Sequence, residues 1–241
     1  MDNKPKSVLI AGGSLAGLMT GIVLKHLGHH VRIFERYPAT QMEGQGAGIT
    51  AQVDVQQLLT DYGLLKPPYS VNSPNLQILK LDGSVKSTWN VAWEMTSWDA
   101  LYFRLRAVFD GHRSEYCPQA LELGAQQTGS GENPRKRDTR PSICRAIRAS
   151  HLDGKVLLVG DALASFRPHA ALSTNQAALN ALLRGKVMKG EMALMDWQRT
   201  VLKYAHVSAA RSRAIGTYFQ GGWGVFLVAL VRYGVALVGE G

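Results

Sequence analysis

Two hydrophobic periods alternate along the first part of this chain. Ser7 to Ala11 (SVLIA) is a largely apolar run, the pattern of a strand buried on both faces of a sheet. Leu15 to Leu27 changes to helical spacing, with Leu15, Leu18, Ile22 and Leu27 available to face that sheet. Gly28 supplies the helix stop. His30 to Glu35 (HVRIFE) returns to a strand pattern. Strand, glycine turn, helix and strand in close succession predict a βαβ unit with a right-handed crossover.

The pattern continues with a helix over Val53 to Tyr62, ending before Gly63. Leu76 to Val91 holds two strand-like runs around Asp82-Gly83, a dipeptide that signals a hairpin. Trp98 to Phe109 is helical and stops at Asp110-Gly111. Gly124 to Ser142 breaks the periodicity, being polar and rich in Gly, Pro and charge, so it reads as a linker. Lys155 to Val159 predicts another buried strand, and Asn175 to Leu183 and Ala193 to Arg213 predict helices. Trp223 to Val238 is apolar except for Arg232. It is shorter than the roughly 20 residues a spanning helix needs. A buried helix is the expected reading and a membrane-surface tail the alternative.

The chain is 241 residues long, with 46% hydrophobic residues and a net charge of +9. That supports a sizeable core in one large or two small domains. The basic residues concentrate in Arg135 to Arg148 and Arg184 to Arg213, and neither run interleaves aromatics in a nucleic-acid pattern, which argues against nucleic acid as a partner. A small-molecule substrate and an anionic cofactor are the expected ligands, and oligomeric state is not readable. Cys117 and Cys144 form no CxxC, so neither a metal site nor a disulfide framework is expected. The N-terminus shows no signal-peptide pattern, and the expected location is cytoplasmic, with membrane association through 223–238 as the variant.

The candidate chemistry begins at Gly12-Gly13-Ser14-Leu15-Ala16-Gly17. The dinucleotide fingerprint is G-x-G-x-x-G, and Ser14 stands at its second glycine. Gly12 makes the tight turn and Gly17 permits close helix–strand packing. Ser14 is small, and its hydroxyl is able to donate to a phosphate oxygen. The helix that follows offers unpaired N–H groups and a positive dipole end to the anion. Glu35 closes the second strand where an acid binds a ribose hydroxyl, which favours FAD or NAD over NADP. Arg36 follows it and is placed to lie over an adenine.

A second loop, KVLLVGDALASFRPHAALSTNQAALNA (Lys155 to Ala181), joins a strand, Gly-Asp, a proline loop and a small-residue helix. Together with GGSLAG it resembles the FAD-dependent aromatic hydroxylases, the single-component flavoprotein monooxygenases. The nearest resemblance is to the branch containing 2,6-dihydroxypyridine hydroxylase and its fungal relatives. It covers Lys6 to about Gly111 and Ile143 to about Arg213. The implied fold is α/β: a Rossmann-like FAD-binding domain, a reduced β-rich substrate region and a helical C-terminus. The resemblance implies that Asp161 binds a ribityl hydroxyl and that Pro168 lines the flavin face where oxygen reacts. Thr174 and Asn175 would turn backbone N–H groups to the pyrimidine edge, where negative charge gathers. Gln45 to Ile49, with Gly48, matches a loop beside the isoalloxazine. On the helix Ser97 to Arg106, Arg104 or Arg106 would reach the pyrophosphate; a solvated helix face is the plainer reading of both.

The implied reaction uses NAD(P)H to reduce FAD and O2 to hydroxylate or epoxidise a small aromatic or natural-product substrate, the flavin carrying the chemistry. No general base is identified. His169, beside the flavin loop, is a candidate, although a lone histidine is more commonly structural. The chain departs from the family at Ala164, where GDALA replaces GDAAH, and at Ala170, Ser173 and Gln45. A larger departure is the middle: the substrate-binding sheet and a second Asp-Gly motif are replaced by the linker. Five segments follow: 1–75, N-terminal FAD-binding; 76–123, hairpin and cofactor-contacting helix; 124–142, linker; 143–213, C-terminal FAD-binding; and 214–241, apolar tail. The alternative function is a shortened, non-catalytic FAD-binding paralogue, acting as a partner or an inactive remnant.

Overall fold

The computed structural model describes residues 4–37, 47–64, 69–111, 146–166, 170–220 and 223–238. The linker expected over 124–142 lies outside them. β1 (Ser7–Ala11), α1 (Leu15–His26) and β2 (His30–Phe34) form the predicted unit, with β1 and β2 parallel and Ser7 opposite His30. Gly28, at φ +82°, ends α1 in the left-handed region that glycine enters without steric cost.

β3 (Gly48–Thr50), β4 (Val71–Leu79) and β5 (Val85–Ser97) form an antiparallel sheet in the order β3-β5-β4. The Asp82-Gly83 turn joins β4 to β5 as expected, and the Asp82 carboxylate accepts from the Ser84 N–H and hydroxyl. Pro74 sits in edge strand β4 where the register shifts, a position that needs no ladder N–H. Because β4 runs across residue 75, the boundary expected at 75/76 does not separate the sheet from the first segment.

The core lies between helices. α1, α2 (Val53–Asp61), α3 (Trp98–Phe109) and α4 (Ser173–Lys189) enclose one cluster around Leu18, Met19, Val23, Leu58, Leu105 and Ala178. Small residues let α4 approach α1 closely: a Cβ on Gly185 would stand 2.9 Å from Val23 Cγ1. A second cluster forms around fully buried Trp197, on α5 (Leu194–Gln220). α5 runs beyond the predicted Arg213 because its buried stripe continues through Ala205, Ala209, Ser212 and Gly216.

Three expectations are corrected. Ser7–Ala11 is not buried on both faces: Leu9 is 68% and Phe34 51% exposed. Parallel pairs are normally covered on both sides; here α1 covers one, and no described residue seals the other. Lys155–Val159 is strand only over β7 (Val156–Leu157), paired antiparallel with β6 (Ser150–His151). Its pairing is local, through a turn in which Leu152, Asp153 and Gly154 are all left-handed, so the run lacks the neighbours a central strand would have. Finally, α6 (Trp223–Val238) is a helix but not a buried one, and it exposes Val231, Val235 and Val238.

Candidate functional site

The glycine loop closes on itself through backbone. Gly12 has φ +108°, and its N–H donates to the Phe34 carbonyl (2.8 Å). A Cβ on Gly17 would overlap the Gly12 carbonyl oxygen, so the third glycine of the fingerprint is demanded by the turn. Ser14 is the extended N-cap of α1 and makes no side-chain capping bond. The first helical hydrogen bond is Leu18 N–H to Ser14 carbonyl (3.0 Å). The N–H groups of Leu15, Ala16 and Gly17 therefore have no partner within the helix. N–H groups left open at a helix start are able to receive an anion.

Glu35 stands against the glycine loop. One carboxylate oxygen accepts from the Gly13 N–H (2.7 Å) and the other from the Tyr37 N–H (3.0 Å). Each oxygen keeps a second lone pair with which to receive a ribose hydroxyl. Arg36 stacks on Tyr37, its guanidinium carbon 4.6 Å from the ring centroid. On α3, Arg106 pairs with Asp110 and hydrogen-bonds Tyr102. Burial raises the Tyr102 hydroxyl pKa, and the Glu35 charge adds to the rise. Tyr102 and Arg106 are thus on the Glu35 side of α3, while Arg104 is half-buried.

The second loop docks onto the first. In the turn Gly160–Ala162, Gly160 has φ +57°, and a Cβ there would lie 2.5 Å from that of Ala16. Two buried amides of α4 clamp this turn. Asn180 Oδ1 accepts from the Gly160 N–H (3.0 Å), and Gln176 Nε2 donates to the carbonyls of Gly160 (2.9 Å) and Ala164 (3.0 Å). Asp161 is carried, exposed, at the open side of the clamp.

The start of α4 meets α2 and β3. Thr50 donates to the Ala171 carbonyl (2.8 Å). The Asn175 side chain turns inward, accepting from the Val55 N–H (3.4 Å) and donating to Asp54 (3.0 Å). Burial raises the Asp54 pKa, and burial followed by the Asp54 charge raises that of Tyr204, which also hydrogen-bonds Asn175. Thr174 and Asn175 keep helix-start N–H groups with no helical partner. Gly48 has open space on its Cβ side. Pro168, His169, Gln45 and Gly46 lie outside the described residues.

Ala171 holds φ +54°, a region costly for a residue with a Cβ. Ala171→Gly is expected to stabilise the chain by about 1 kcal/mol, read as a melting temperature about 2–4 °C higher.

Sequence reasoning missed Thr50, Asp54, Gln176, Asn180 and Tyr204. The pair Gln176 and Asn180, four residues apart in a helix of alanines and leucines, was a usable signal of a buried polar face. Nothing local marked the others.

The geometry fits FAD at both ends. Gly17 and Ser14 leave a phosphate cradle, Glu35 meets it, and Asp161 and the α4 start lie across α1. The FAD binding domain family matches residues 6–97. The curated 2,6-dihydroxypyridine 3-monooxygenase of Paenarthrobacter nicotinovorans is 29% identical over 107 residues. The first part of the chain, residues 6–97, is thus similar to FAD binding domains, and the curated relative is a flavin hydroxylase by name. That match takes in 44% of this chain and 27% of the curated enzyme, so the chain spans about a quarter of the enzyme's length. Solved structures share the fold. The 2,6-dihydroxypyridine-3-hydroxylase of Arthrobacter nicotinovorans superposes with a TM-score of 0.68 at 15% identity, covering 92% of this chain and 96% of that one. PqsL of Pseudomonas aeruginosa, a probable FAD-dependent monooxygenase, gives 0.65 at 10% identity, covering 93% and 99%. The tetrameric 2-methyl-3-hydroxypyridine-5-carboxylic acid oxygenase gives 0.65 at 15% identity, covering 94% and 96%.

Proposed function

We propose that this chain is the FAD-holding part of an NAD(P)H- and O2-dependent monooxygenase that hydroxylates a small aromatic or heteroaromatic compound. The observation that carries the reading is the docking of the Gly160-Asp161 turn onto α1 beside the glycine loop, which unites the two half-sites. Bound FAD supplies the redox and oxygen chemistry. The chain's own residues bind and orient it. The Gly12–Gly17 loop and the α1 N–H groups would hold the pyrophosphate, with Arg106 within the same neighbourhood. Glu35 would take a ribose hydroxyl and Asp161 a ribityl hydroxyl. The α4 start would favour negative charge at the pyrimidine edge.

The exposed second face of β1–β2 favours a second reading, a non-catalytic FAD-binding paralogue. A closed, dry pocket is what protects oxygen chemistry from water, and the described residues leave this sheet open. Titration of the purified chain with FAD separates the readings. Uptake at micromolar FAD, with a flavin absorbance band, is expected. NAD(P)H consumption under O2 that a hydroxypyridine stimulates supports the enzyme. FAD uptake with no such consumption supports the paralogue. A colourless chain that takes up no FAD overturns both.

A further inference from the structure

Helix α6 carries an apolar face that the FAD site does not use. Its inner positions Phe226, Ala229, Tyr233 and Ala236 are half-buried against α5, and Phe226 packs on Tyr218 with centroids 5.2 Å apart. Its outer positions Leu227, Val228, Val231, Val235 and Val238 are three to four residues apart, so they share one stripe. Each is more than half exposed. A helix lying between a core and water carries polar residues on its outer face, and here both faces are apolar.

Charge indicates what covers the stripe. From Trp197 to Val238 there is no acidic residue, against Arg199, Lys203, Arg211, Arg213 and Arg232. Arg232 flanks the stripe and is exposed, as is Arg213 on α5, and neither makes an ion pair among the described residues. A second copy on this stripe would bring two acid-free cationic hairpins together. The stripe is also narrow for a dimer. At 16 residues α6 is about 24 Å long and about 10 Å across, well short of the roughly 800 Å² per partner of a stable interface. It is too short for the ~30 Å hydrocarbon core, and among the described residues no helix is long and apolar enough to cross a membrane.

We propose that α6 is an in-plane anchor for an anionic lipid surface. The Leu227–Val238 stripe enters the boundary between headgroups and acyl chains, and Arg232 and Arg213 meet lipid phosphates. The test is flotation of the full chain with phosphatidylcholine vesicles, with and without phosphatidylserine, alongside gel filtration. The chain is expected to float with the anionic vesicles, and about tenfold less with the neutral ones. V228S/V231S/V235S is expected to stay at the bottom of the gradient. Should that variant fail to fold by circular dichroism, R232E serves instead; removing and reversing one charge should weaken anionic binding more than about fivefold. The proposal is overturned if the chain floats with neither vesicle, if R232E floats as well as the parent, or if a folded triple variant does. It is equally overturned if the parent is a dimer that ignores vesicles and the triple variant a monomer.

Discussion

Gly17→Ala is expected to give a protein that takes up no FAD and melts well below the parent. The new methyl group would overlap the Gly12 carbonyl oxygen, stand 3.1 Å from the Gly12 carbonyl carbon and 3.3 Å from Ile10 Cγ2. The turn has no room to retreat, because Gly12 is held at φ +108° and its N–H is bonded to Phe34. Relief therefore requires α1 to slide away from β1, and α1 carries Leu18, Met19 and Val23 in the main core. Overpacking of this kind costs about 3 kcal/mol, or about 6–12 °C in melting temperature for a chain of this size. The same slide opens the phosphate cradle. Thermal unfolding and flavin absorbance after FAD addition measure the two effects; an unchanged melt with normal FAD uptake refutes the argument. Ser14→Gly is the companion control. It removes no capping bond, so stability should stay within a few tenths of a kcal/mol.

Asn180→Leu is expected to weaken FAD binding about tenfold, which corresponds to about 1.4 kcal/mol, and to cost about 1–3 kcal/mol of stability. Asn180 lies fully buried, whereas Asp161 is exposed. Asn180 acts by holding the Gly160 N–H at 3.0 Å. Leucine leaves that N–H orphaned in the interior, where unpaired donors are rare and costly. The turn is left with the Gln176 bonds to Gly160 and Ala164 as its side-chain tether, and Asp161 loses its fixed position. Kd from quenching of flavin fluorescence, with unfolding measured on the same sample, tests this. A variant that loses stability while binding FAD as tightly as the parent would show that the clamp serves only the fold.

Much of the FAD half-site was legible locally. The G-G-S-L-A-G turn, the apolar strand before it and the acid after β2 each rest on short-range geometry: positive φ, close helix–strand approach and a strand end. α3 falls on its predicted residues, Trp98–Phe109, because Ser97 caps it, accepting from the Ala100 N–H at 3.0 Å. The hairpin followed from Asp-Gly, whose backbone preference is intrinsic. What failed were statements about burial. Leu9, Val156 and α6 are apolar, yet apolarity says only that a residue would gain from cover, not that a covering element exists.

The chain's own letters thus determined the glycine turn, the helix start with its unpaired N–H groups, the acid that meets it and the likeness to FAD binding domains. Those depend on residues near one another in sequence and on what a missing Cβ permits. Tertiary structure decided which distant groups complete the site. Asn180 and Gln176 reach back to Gly160, Thr50 ties to Ala171 across 121 positions, and Asp54 meets Asn175 and Tyr204 where three helices converge. Tertiary structure also decided that α6 folds along α5 with its second apolar face outward. Both outcomes arise from packing: a side chain's partners and its cover are set by whichever elements arrive beside it, and local sequence does not encode that arrival.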